Sequence, residues 1–89
     1  MVDELTTLLG TLHPYSSYEQ LERAYRLATE VATSDVAHHL DLGVLLKDAQ
    51  DALTDVLFES CNGLDTVPYG QRFLAALHDV VRALKDGAA

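Results

Sequence analysis

Residues 35–61 read DVAHHLDLGVLLKDAQDALTDVLFESC, and this stretch decides the fold class. Leu42, Leu45, Leu46, Ala49, Leu53, Val56 and Leu57 recur at three- and four-residue intervals. That is the spacing of one face of an α-helix, not the period of two that a strand would show. Thr33-Ser34-Asp35 supplies a start signal before the run, and Asn62-Gly63 supplies a left-handed stop behind it. The reading is one helix over Asp35–Cys61, about 27 residues or about 40 Å long. Gly43 stands where it would bend or divide so long an element.

The flanking segments follow the same logic. Breaks fall at His13-Pro14, Thr33-Ser34-Asp35, Asn62-Gly63 and Val67-Pro68, which leaves three further helical segments: Val2–Leu12, Ser17–Thr33 and Val67–Asp86. Val2, Leu5, Leu8, Leu9 and Leu12 form one apolar arc on the first. The second carries Tyr18, Leu21, Tyr25, Ala28 and Ala32, widened by Ala24, Leu27 and Val31. The last carries Phe73, Leu74, Leu77, Val80, Val81 and Leu84. Two overlapping capping boxes, Ser16 with Glu19 and Ser17 with Gln20, mark the second start, and Pro68 lies in the first turn of the last helix. Glu19, Glu22, Arg23, Arg26 and Glu30 occupy the outer face of the second helix and read as solvated ion pairs. Four apolar stripes joined by short connections predict an all-α fold in one domain, residues 1–89: a compact antiparallel bundle with a short first helix and a long third. The short first helix reads as laid across the other three, and the back of the third is either covered, by that helix or by the other side of the bundle, or left as an interface.

Composition restricts what such a bundle can do. The chain has 89 residues, 48% of them apolar and 22% charged, ordinary values for a folded domain and far from those of a disordered acidic tail. Six basic side chains face fourteen acidic ones, a formal net charge of −8. That balance disfavours binding to nucleic acid or to an anionic membrane surface, both of which require clustered Lys and Arg. The lone cysteine, Cys61, has no internal partner for a disulfide. Met1-Val2-Asp3-Glu4 is not the basic start of a secretory signal, and no apolar run approaches the length of a membrane span. A cytoplasmic protein is the expectation.

The unusual feature is a line of acids on the third helix. At about 100° per residue, Asp41, Asp48, Asp51, Asp55 and Glu59 fall within an arc of about 80°. Like charges four residues apart cost a helix a few tenths of a kcal/mol, so helix stability does not call for this stripe. Leu40, Val44 and Phe58 project from nearly the same side. Apolar residues rimmed by acids describe a protein interface, with charge steering a basic partner and Phe58 as an aromatic anchor. Asp41, Val44, Asp48, Asp51, Asp55, Phe58 and Glu59 are therefore the expected partner-binding residues. The partner is expected to be a protein with a basic or mixed apolar surface, and the chain a small adaptor, regulator or inhibitor. A homo-oligomeric structural protein assembling through Leu40, Val44 and Phe58 is the first alternative, and a helical enzyme centred on Arg72 and His78 the second.

No reactive constellation competes with this reading. There is no nucleophile elbow, phosphate-cradling glycine loop, His-Glu-x-x-His segment or EF-hand pattern, so no enzyme, cofactor or metal is expected. Adjacent His38 and His39 point about 100° apart on a helix and do not share a metal; Asp35 with His39 is better placed but lacks further ligands. Arg72 and His78 resemble in spacing the ribonuclease motif of HEPN-type helical proteins. Phe73, however, stands where those proteins place a polar residue, and about 120° separates the two side chains, so no catalytic role is carried over. Asn62-Gly63-Leu64-Asp65 is similar to the attachment site of acyl carrier proteins but has Gly63 in place of the serine that bears the prosthetic arm.

Overall fold

A computed structural model describes residues 2–33 and 42–88. Four helices follow in order: α1 (Val2–Gly10), α2 (Tyr18–Ala32), α3 (Gly43–Cys61) and α4 (Val67–Ala88). Among the described residues there is no strand, and the four helices form a bundle. Asp35, His38, His39, Leu40 and Asp41 lie outside the described residues.

Local chemistry explains most of the boundaries. α1 stops at Gly10, two residues before the expected end at Leu12. The amides of Thr11 and Leu12 donate to the carbonyls of Leu8 and Leu9, three residues back, and the Thr11 hydroxyl donates to the Leu8 carbonyl at 2.7 Å. These tightened bonds close the helix ahead of Pro14, which cannot continue it. Only one of the two expected capping boxes forms. The Gln20 amide donates to Ser17 Oγ while the Ser17 amide donates to Gln20 Oε1. Ser16 is engaged one step earlier, accepting from the His13 amide at 2.9 Å and donating its own amide to the His13 carbonyl, so it does not pair with Glu19.

α3 begins at Gly43, so within the described residues this glycine is the first of the helix, and the expected bend or division there concerns residues outside them. Leu42 precedes it as a cap without a side-chain hydrogen bond, held instead by burial. Glycine is among the poorest helix formers and fits a terminus better than a helix centre. The other end is strongly specified. Gly63 has φ +71°, its amide donates to the Ser60 carbonyl, and the Leu64 amide reaches back to Glu59 at 2.9 Å. This is the Schellman arrangement, and it needs a residue that tolerates left-handed φ. An Asx turn follows, in which the Val67 amide donates to Asp65 Oδ1 and opens α4.

The packing follows the apolar seams. Leu21, Ala24, Ala28 and Val31 of α2 are buried, as are Phe73, Leu74, Leu77, Val80, Val81 and Leu84 of α4. On α3 the buried set is Ala49, Ala52, Leu53 and Val56. Leu57, expected in this seam, is instead 43% exposed, because the helix is rotated toward its Ala52 side. α3 and α4 share the largest interface; α2 packs on α3 and on α4. α1 lies against α4 and α2 and does not touch α3, which corrects the expectation that it lies across all three; it does not cover the back of the third. Leu5 and Leu9 are buried, and a nine-residue helix has apolar surface for one groove, which the α2–α4 pair provides. Among the described residues the buried side chains are all apolar.

Candidate docking surface

Among the described residues, α3 meets α4 and α2, and no other helix lies on its opposite side. At about 100° per residue, Val44, Asp48, Asp51, Asp55, Phe58 and Glu59 fall within about 100° of one another and roughly opposite Ala49, Leu53 and Val56. The exposures agree with this placement. Val44 is 67% exposed and Phe58 64%, Asp48 and Asp51 are exposed, and Asp55 and Glu59 are half-buried. Six of the seven expected partner-binding residues therefore share one face; the seventh, Asp41, is outside the described residues.

Two apolar side chains bracket the acids. Val44 and Phe58 are fourteen residues apart, which on a helix is about 21 Å or four turns. Lys47 is exposed at the edge of the stripe. The ion pairs among the described residues are Arg26 with Glu22 and Arg82 with Asp79, on α2 and α4, so none neutralises an acid of α3. The C-terminal carbonyls of α3 add a negative dipole end beside Glu59. The result is a ridge of concentrated negative potential carrying large apolar side chains in water, and nothing in the helix's own stability requires either property.

Two further apolar residues are exposed outside the expected site, of which Leu57 lies about 100° around α3 from Phe58 and about 150° from the middle of the acidic arc. Leu57 and Leu64, the latter 59% exposed, sit at the end of α3 near Phe58 in sequence. Leu64 is the residue after Gly63 in the Schellman turn, a position that often carries an apolar side chain; the Asn62-Gly63-Leu64 pattern was the available signal. Leu57 had no such signal, since an apolar residue at the margin of a seam is compatible with either side.

The remaining candidates are not assembled. Arg72 and His78 are both exposed on α4. Gly63 occupies the left-handed position of the turn, so the carrier-protein comparison loses its attachment residue to a backbone requirement. Cys61 is an exposed free thiol. Among the described residues, no group of three His, Cys, Asp or Glu side chains is placed to hold a metal ion, and no helix is long and apolar enough to cross a membrane. His13 stacks its ring on Tyr15 with centroids 5.0 Å apart, in the turn between α1 and α2. A groove of about 220 Å³ runs between α2 and α3, lined by Tyr18, Tyr25, Gln50, Leu53 and Thr54 and by the Glu22–Arg26 pair. Its charged residues already satisfy each other. Comparison with protein-family models, with curated proteins and with solved structures finds no match to this chain.

Proposed function

We propose that this protein is a non-catalytic interaction module, of the adaptor, regulator or inhibitor kind, that docks through the outer face of α3 onto a basic surface with apolar character. The observation carrying this reading is the pair Val44 and Phe58, each about two-thirds exposed, on either side of Asp48, Asp51 and Asp55, which have no ion pair among the described residues. Covering an exposed phenylalanine contributes about 1.5–3 kcal/mol, so Phe58 supplies affinity. Asp48, Asp51, Asp55 and Glu59 supply orientation and a fast, salt-sensitive approach. A basic partner is favoured over a second α3 face, because a two-fold contact between identical faces would set Asp51 and Asp55 against their own copies. The free Cys61 thiol fits a reducing, cytoplasmic setting.

Affinity capture from native lysate at low and at high salt tests this reading when four variants are run beside the parent. Asp51→Lys with Asp55→Lys should abolish capture of a basic protein. Phe58→Ala should weaken it by about tenfold or more, as expected for an aromatic anchor. Glu30→Lys, an exposed acid on α2, should leave it unchanged. Release of the partner between low and high salt completes the expected pattern. Capture that is identical for every variant and insensitive to salt would remove α3 from the account.

A further inference from the structure

We infer that the element received by α3 is a basic amphipathic helix of about four to five turns, lying along the ridge with its apolar residues on Val44 and Phe58. This rests on the docking role proposed above and names the shape of the partner. The argument is one of register. Asp48, Asp51, Asp55 and Glu59 are separated by three, four and four residues, so the charges advance by about 5.5 Å per step and span about 16 Å. A partner helix with Lys or Arg at the same intervals advances at the same pitch, about 5.4 Å per turn, and keeps every pair in register. Same-side residues of a strand advance by about 6.7 Å, and by the fourth charge the mismatch is about 3–4 Å.

The apolar ends point the same way. Val44 and Phe58 lie about four turns apart, so an occupant must keep contact over about 21 Å. A helix crossing at a shallow angle of about 20° does this along its whole length, whereas a steep crossing of about 50° would reach one anchor and leave the other. The ridge is accessible along its course: α1 does not touch α3, and Val44 and Phe58 are open at both ends.

A synthetic peptide of about 18 residues provides the probe, with leucines about four turns apart and four lysines at intervals of three, four and four, three of them between the leucines and the fourth just outside, on an alanine–glutamine background. The comparison peptide differs only by a central proline, which prevents a continuous helix. Fluorescence anisotropy at low salt should show the helical peptide binding at least about tenfold more tightly than the proline peptide, and circular dichroism should show helix gained on mixing. Phe58→Ala should weaken binding by about tenfold, and Asp51→Lys with Asp55→Lys should abolish it. Equal binding of the two peptides, or binding of neither, would overturn the helical occupant. Equal binding that still depends on Phe58, Asp51 and Asp55 would leave the basic-partner reading standing, whereas binding indifferent to all three substitutions would end both.

Discussion

Phe73→Ala is expected to lower the stability of this protein by about 3–5 kcal/mol and to leave much of the population unfolded near physiological temperature. Phe73 is the largest fully buried side chain and is 0% exposed. It belongs to α4, which packs on each of the other three helices and shares the largest interface, with α3, so the void would open where several interfaces converge. A domain of this length has a total stability on the order of 4–13 kcal/mol, and an all-apolar core offers no water-filled alternative for the vacated space. Urea unfolding followed by circular dichroism measures the effect. Phe73→Leu, which keeps most of the volume, should recover more than half of the loss. A shift of less than about 1 kcal/mol for the alanine variant would mean that the core is not centred on α4.

The second large effect is expected from a change that would ordinarily stabilise a helix. Gly70 lies within α4 and is buried, and its amide donates to the Thr66 carbonyl at 2.9 Å. Alanine at a helical glycine normally gains up to about 1 kcal/mol. Here a Cβ on residue 70 would lie 2.8 Å from the carbonyl carbon of Pro14, and closer still to its oxygen. The obstacle is backbone, in the turn that joins α1 to α2, and cannot be relieved by a rotamer change. The helix must move off the turn, so Gly70→Ala should destabilise by about 1–3 kcal/mol or more. Gly10→Ala is the control, because a Cβ at that position meets no atom within 4 Å. Thermal melts should place the Gly70 variant several degrees below the parent and the Gly10 variant at or above it. Equal melting temperatures would show that α4 and the Pro14 turn are not in close apposition.

These two positions differ in how far the sequence reveals them. Phe73 is one of six apolar residues repeating at helical spacing in α4, and periodicity alone places it in the core. The same holds for Leu21, Ala24, Ala28 and Val31 of α2, whose start is announced by Ser17 and Gln20. Gly70 gives no such signal: its role depends on a turn more than fifty residues away that approaches only once the bundle has formed. The start of α3 at Gly43 was obscured because residues before it continue the apolar pattern, and periodicity does not register a missing cap.

The candidate site divides along the same line. The solvent-facing placement of Asp48, Asp51 and Asp55 follows from the wheel, since charges avoid the core and lie opposite Ala49 and Val56. Val44 and Phe58 were ambiguous. Apolar residues on the back of a helix are either covered by another element or exposed for a partner, and which holds depends on where α1 packs. Its burial of Leu5 and Leu9 against α4 and α2 leaves the outer face of α3 without a covering helix among the described residues, a tertiary fact that no local pattern encodes.

The docking role of α3 is tested most directly by placing a photo-crosslinking phenylalanine analogue at position 58 and, in a parallel sample, at the exposed position 75 on α4. Illumination in native lysate should yield one discrete adduct with a basic protein from position 58 and none from position 75. Asp51→Lys with Asp55→Lys in the same chain should eliminate that adduct. Equal, diffuse crosslinking from both positions, or an adduct at position 58 unaffected by the charge reversals, would contradict the assignment of the outer face of α3 as the binding surface.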